Sequence, residues 1–150
     1  MKTVIPIEIV ALGDDNSYHL FVSGEIDDQR CELLIDTGAS HTIFDSALIP
    51  PIPDAEMPNK EIQSAGISAG DLNCNIGRIK KFKLGDLQHE DMTVVIIDLS
   101  HVNNVYSQFT DKRVVGLIGS EFLLKHRAVI DYKRRELVLR SIRKKRNKKK

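Results

Sequence analysis

At 150 residues and 41% apolar content, the chain is sized for one domain with its own core, needing neither disulfides nor a structural metal. No apolar run approaches the roughly 18 residues of a membrane span, and the start, Met1 to Leu12, is broken by Pro6 and Glu8 and lacks a basic-then-apolar export signal. Two cysteines, Cys31 and Cys74, make no disulfide framework and fit reduced thiols in a cytoplasmic protein.

The net charge of +1 hides an asymmetry. Residues 133–150 carry 11 Lys and Arg against Glu136 alone, a balance of +10, which leaves −9 on residues 1–132. Most of that excess follows Leu139, so residues 141–150 read as a basic, disordered tail. Such a tail offers at most a weak contact to an anionic partner such as nucleic acid or a membrane surface. No aromatic residue interleaves its charges, which excludes a base-stacking platform.

Taken in chain order, short β-rich runs dominate. Val4 to Leu12 and His19 to Ile26 flank a turn-rich link from Gly13 to Ser17 and read as a hairpin. Cys31 to Ile35 is nearly all apolar, as a strand buried on both faces requires. His41 to Phe44 reads as another strand, and Pro50-Pro51-Ile52-Pro53 then enforces an extended loop. Lys60 to Phe82 reads as a long hairpin with a mobile tip, because Ser64 to Gly70 is small and glycine-bearing.

Met92 to Ile97 is a buried-strand pattern, whereas Ser100 to Lys112 is weak enough to be a loop or a short helix. Val114 to Gly119 gives a second apolar strand with glycines, followed by Ser120 as the expected N-cap of a helix over Glu121 to His126. Ala128 to Tyr132 and Glu136 to Leu139 close the fold as a hairpin around Lys133-Arg134-Arg135. The expected result is one mostly-β domain over residues 1–140 with one short C-terminal helix.

Asp36 is where chemistry concentrates. It stands at the end of an apolar strand, so its backbone is fixed by a sheet while its carboxylate projects into a cleft. Thr37 brings a hydroxyl, Gly38 lets backbone approach the carboxylate, and Ser40 offers a second hydroxyl. Two such aspartates facing each other cannot both ionise easily and share one proton. One then acts as general base toward water while its protonated partner polarises a carbonyl. The motif occurs once, so the second carboxylate must come from another copy of the chain.

Leu34-Ile35-Asp36-Thr37-Gly38-Ala39-Ser40, followed by Val115-Gly116-Leu117-Ile118-Gly119-Ser120-Glu121-Phe122-Leu123 and Ile130-Asp131-Tyr132, resembles the retropepsin-like aspartic proteases, most of all their single-domain bacterial and cellular members. The resemblance spans about Val4 to Leu139. It implies a closed β-barrel of the acid-protease type and a homodimeric aspartic endopeptidase in the cytoplasm. Asp36 is then the catalytic residue, and Thr37, Gly38, Ala39 and Ser40 form the active-site loop. Ala65, Gly66, Ile67, Ser68, Ala69 and Gly70 form a flap over an extended peptide, and Gly116, Leu117, Ile118 and Gly119 form the strand supporting the loop. Substrate then adds as a β-strand. The stretch from Leu84 to Arg113 is longer than in compact viral members, so its pocket cannot be carried over. The basic tail also sets the terminal strands apart from a viral dimer closed by both termini.

Other readings stand beside this one. The same fold without catalysis is a dimeric peptide-binding or scaffold module, and the tail alone points to a nucleic-acid-associated protein. Asp36-Thr37-Gly38 taken alone is also an Asx turn. Asp98 and Asp131 end apolar strands without a following glycine and read as surface or hairpin aspartates. His19, His41, His89, His101 and His126 show no metal-ligand spacing with the cysteines, so neither metal nor cofactor is expected. No histidine stands in a nucleophile arrangement with Ser40.

Overall fold

The computed structural model describes residues 1–13, 17–53 and 75–141. Among these residues, ten strands and two short helices follow in chain order: β1 (Lys2–Pro6), β2 (Glu8–Leu12), β3 (Ser17–Ile26), β4 (Gln29–Ile35), β5 (Ile43–Asp45), β6 (Asn75–Leu84), β7 (Leu87–Ile97), α1 (Ser100–Tyr106), β8 (Val114–Ile118), α2 (Ser120–Lys125), β9 (Val129–Asp131) and β10 (Glu136–Arg140).

The large sheet runs β2-β3-β4-β8-β5-β7-β6, and a further pairing of β3 with β6 joins its ends. Six strands thus close into a barrel, with β2 sharing the free edge of β3. That edge serves two neighbours because β3 is ten residues long: its first half pairs with β2 and its last two residues, Glu25 and Ile26, pair with β6. Closure removes the exposed edges that open sheets must protect. Two pairings are parallel, β4 with β8 and β5 with β7, and both lie next to the Asp36 loop.

Tight turns set the hairpins. Asp27 and Asp28, both at positive φ, join β3 to β4, the conformation that a two-residue type I′ turn requires. Gly85 at φ +61° and Asp86 join β6 to β7, and the Asp86 N–H donates to Thr3 Oγ1 at 2.9 Å, tying this turn to β1.

The barrel interior is filled by Leu33, Phe44, Phe82, Ile96, Ile118 and Leu139, all fully buried. Phe44, Phe82 and Phe122 meet edge to face. Truncating a residue such as Phe44 to Ala would cost about 3–5 kcal/mol. A second apolar cluster, Phe21, Leu34, Leu99, Tyr106, Val114 and Leu117, lies on the opposite face of β4 and β8 and seats α1. β4 is therefore buried on both faces, as its continuous apolar run requires.

Two expectations change and a third is sharpened. The run from Val4 to Leu12 is two strands, because Pro6 lacks an N–H and the Ile7 N–H leaves the ladder to donate to the Arg135 carbonyl at 2.8 Å. β1 accordingly joins β10 and β9 in a separate three-stranded sheet, and β2 joins the barrel. Ser100–Tyr106, expected as a loop or a short helix, is the helix α1. Ser120 is the first residue of α2, and its N-cap is Gly119 with no side-chain capping bond, because the Ser120 N–H is drawn to the Ala39 carbonyl. β6 pairs with β7 in a hairpin of its own, and the expected hairpin over Lys60 to Phe82 lies largely outside the described residues. The expected flap tip, Ala65, Gly66, Ile67, Ser68, Ala69 and Gly70, lies outside the described residues, as does the tail from residue 142 onward.

Candidate active site

The Asp36 loop is held by hydrogen bonds that join the two sequence motifs. Because β4 and β8 run parallel and in register, with Ile35 opposite Ile118, the end of one strand arrives beside the end of the other. The Asp36 N–H donates to the Ile118 carbonyl at 2.9 Å, and the Ser120 N–H donates to the Ala39 carbonyl at 2.8 Å. The Gly119 N–H donates to Thr42 Oγ1 at 3.0 Å, and the Thr42 N–H donates to Glu121 Oε1 at 2.6 Å. The bond to a carboxylate is the stronger kind.

Glycine is required at two of these positions by close packing. A Cβ on Gly119 would lie 2.6 Å from the His41 carbonyl carbon and oxygen. A Cβ on Gly116 would lie 2.8 Å from the Phe44 ring and 3.0 Å from the Ile43 carbonyl oxygen. Both glycines let β8 and the turn after it press against the segment that follows the Asp36 loop.

The Asp36 carboxylate is oriented locally. Its Oδ1 accepts the Gly38 N–H at 3.0 Å, and the Ala39 N–H closes a turn on the Asp36 carbonyl at 3.2 Å. Asp36 is half-buried, while Thr37, Gly38 and Ser40 are exposed and Ala39 is partly covered. Gly116, Leu117, Ile118 and Gly119 are buried beside the loop. The structure thus brings the Asp36 loop and the Gly116 strand together.

Asp36 also borders a cavity of about 410 Å³. The barrel contributes Leu12, Leu34 and Leu117 to its walls, and α1 contributes Val102, Val105 and Tyr106. Tyr106 Oη lies 2.7 Å from His19 Nδ1, whose other ring nitrogen lies 2.9 Å from Ser17 Oγ. Burial, and then the negative charge of Asp36, push the Tyr106 phenol above its ordinary range, so it stays a neutral hydroxyl at physiological pH.

Sequence reading missed Thr42, Glu121, His19 and Tyr106 as parts of this site. Thr42 and Glu121 carry a signal in hindsight, a hydroxyl just past the loop and an acid in the first turn of α2. Tyr106 carries none, since nothing in the weak pattern from Ser100 to Lys112 aims it at Asp36. Asp98 and Asp131 prove to be turn formers: Asp98 Oδ1 accepts the Ser100 N–H, and Asp131 Oδ1 accepts the Arg134 N–H, each at 2.9 Å. Among the described residues, no three His, Cys, Asp or Glu side chains form a group that could hold a metal ion. Among the same residues, no helix is long and apolar enough to cross a membrane.

The chain is similar to a number of solved structures, two of which illustrate the likeness. The retroviral protease-like domain of Ddi1 from Leishmania major shares 20% identity at a TM-score of 0.49, over 83% of this chain and 90% of that one. A retropepsin-like aspartic protease from Rickettsia conorii shares 15% identity at a TM-score of 0.44, over 93% of each chain. No curated protein sequence matches the chain. The aspartyl protease family model matches residues 22–122, a span that begins in β3, contains the Asp36 loop and ends in α2, and the chain belongs to that family.

Proposed function

We propose that the protein is a homodimeric aspartic endopeptidase in which Asp36 of two copies activates water to cleave peptide bonds. The observation that carries this reading is the state of Asp36: a half-buried carboxylate at a strand end, oriented by the Gly38 N–H and bordering an apolar cavity. Thr37 and Gly38 are exposed on the same loop, which leaves them available to a second copy.

In the dimer the two carboxylates hold one proton between them, as in aspartic proteases generally. The ionised one removes a proton from water as the water oxygen attacks the scissile carbonyl carbon. The protonated one donates to the carbonyl oxygen, giving a tetrahedral intermediate. Collapse of that intermediate breaks the C–N bond as a proton passes to the departing amine. Substrate lies as an extended strand, beneath a flap formed by residues 65–70. Residues 1–140 form the catalytic domain, and the basic tail from residue 141 serves at most as an accessory contact to an anionic partner. A cytoplasmic location belongs to the same reading, supported by the buried free thiol of Cys31.

The test pairs mass with turnover. Sedimentation should give a dimer, and wild-type protein should cleave members of a diverse peptide pool between acid and neutral pH. Asp36→Asn should lose that cleavage while melting at the same temperature. A strict monomer, or equal cleavage by both proteins, overturns the reading. Peptides bound without turnover, equally by wild type and Asp36→Ala, would instead identify a non-catalytic peptide-binding module.

A further inference from the structure

The small sheet β1-β10-β9 sorts its outward side chains into three rows. Its inner residues, Ile5, Leu137 and Leu139, are buried in the barrel core. The alternate residues therefore face outward, and the strand registers set them side by side. At one end Lys2 stands opposite Arg140. In the centre Val4, Val138 and Val129 form a continuous row, with Val4 46% and Val129 57% exposed. At the other end Glu136 stands between Pro6 and Asp131.

Two features separate this face from an ordinary solvated one. Like charges oppose each other directly across strands at both ends of the valine row, Lys2 with Arg140 and Glu136 with Asp131. Such pairs weaken a sheet, whereas alternating the signs would give cross-strand ion pairs. Among the described residues, the side chains of Lys2, Arg140 and Glu136 have no ion-pair partner. The charge is thus segregated at a cost to the single chain, around an apolar strip that water covers poorly.

Segregated charge of this kind is self-complementary in one orientation. A second copy packed face to face about a twofold axis along the valine row sets each valine on its own counterpart and exchanges the two ends. Arg140 then faces Glu136 of the second copy. A twofold axis along the strands would instead set basic row on basic row. The exit of the chain selects the same axis. The Ser141 N–H donates to the Met1 carbonyl at 3.0 Å, at the basic end, and seven Lys and Arg follow in residues 142–150. The first axis carries the two chain ends to opposite sides, each next to the other copy's acidic row. The second axis would bring them together.

We infer that the outer face of the β1-β10-β9 sheet binds the same face of a second copy, through Val4, Val138 and Val129 and with Arg140 set against Glu136. The contact uses no free strand edge. It is also separate from the Asp36 cavity, which lies against the second apolar cluster on the other face of β4 and β8. The inference does not rest on the endopeptidase reading. Within that reading each Asp36-paired dimer carries two such faces, so the contact joins dimers into larger species. Three short strands about 4.8 Å apart cover on the order of 200 Å² in plan, well below the roughly 800 Å² per partner of a standard interface. The association is therefore weak and sensitive to salt.

The test is sedimentation of the full chain in low salt, at concentrations up to roughly 1 mM, comparing wild type with Arg140→Glu, Glu136→Arg and Val129→Lys. Wild type should grow in mass with concentration past the species that the variants form, and each variant should weaken this step by about tenfold or more. Arg140→Glu sets an opposite charge beside Lys2, and Glu136→Arg sets one beside Asp131. Both should therefore melt no lower than wild type, which distinguishes lost association from lost fold. An equal mixture of Arg140→Glu and Glu136→Arg restores opposite charges across the axis and should associate like wild type. High salt should weaken wild type and the mixture alike. Equal association of wild type and Arg140→Glu, or a mixture that stays as separate as its components, overturns the inference. Either outcome leaves the Asp36 pairing and any peptide cleavage untouched.

Discussion

The backbone N–H of Asp36 donates to the carbonyl of Ile118 at 2.9 Å, across the junction where β4 and β8 end side by side. This contact extends the parallel ladder one step past the last paired residues, so the turn that follows Asp36 begins from a fixed point. The loop is then returned to the sheet by Thr42, which binds both Gly119 and Glu121. The two motifs, far apart in sequence, form one mechanical unit.

That unit leaves no room for a side chain at Gly116 or Gly119. Gly119 has an ordinary extended backbone, φ −91° and ψ 176°, so alanine there meets no conformational penalty, only the His41 carbonyl and the Glu121 carboxylate. Gly119→Ala and Gly116→Ala should each destabilise the fold by about 1–3 kcal/mol, the usual cost of overpacking. Urea unfolding will measure this. An unchanged midpoint would show that the loop and β8 are looser than the contacts require.

Thr42 permits a finer test. In Thr42→Val the shape is kept, but the buried Gly119 N–H loses its acceptor, at a cost of about 1–3 kcal/mol. Thr42→Ser keeps the hydroxyl and should recover most of that loss. In the proposed endopeptidase, the valine variant should also lose kcat more than its melting temperature implies, because the Asp36 loop shifts with it. Equal stability of the valine and serine variants would remove Thr42 from the supports of the site.

Much of this site was legible in the sequence for a physical reason. Burial on both faces leaves a strand no polar positions, so β4 and β8 announced themselves as apolar runs, and the glycines of β8 marked close packing. Closure of the barrel followed from the family resemblance and not from the strand patterns themselves, since pairing Glu25 and Ile26 with Lys83 and Phe82 depends on how far each strand coils. The separation of β1 from β2 turned on Pro6 and on a single bond from Ile7 to Arg135. α1 escaped because its anchors, Asn103 and Tyr106, bind partners on β8 and β3 rather than neighbours in sequence.

Dependence on a second copy makes a quantitative prediction. If each active dimer needs two intact Asp36 carboxylates, equal amounts of wild-type and Asp36→Asn chains, exchanged to equilibrium, leave about one quarter of the dimers competent under twofold symmetry. Activity per total protein should then fall to about a quarter of the wild-type value. A fall to about one half would mean that each chain acts alone, and that the proposed carboxylate pairing is absent.

The last prediction concerns pH and the far end of α2. His126 is 2% exposed, and its Nδ1 donates to the Arg140 carbonyl at 3.1 Å, so in the neutral ring its Nε2 is an acceptor. His89 Nε2, at 3.3 Å, is then the donor to it. Burial lowers the pKa of both rings; the neighbouring His126 and the charge of Lys125 lower His89 further, while the bond to Arg140 partly opposes the effect of burial on His126. The unfolded chain therefore takes protons first, near an unfolded value of about 6.5. The stability contributed by the neutral pair is present above that pH and is lost as pH falls through the lower folded values. Between about pH 7.5 and pH 5.5 the urea midpoint should drop, and His89→Gln, whose amide still donates but does not titrate, should drop less. Because His126 also holds Arg140 of β10, acid should loosen the β1-β10-β9 sheet before the barrel, seen as earlier amide exchange at Arg140 and Ser141 than at Ile96. Equal midpoint shifts in wild type and His89→Gln, with exchange unchanged at Arg140, would assign the acid sensitivity to carboxylates elsewhere.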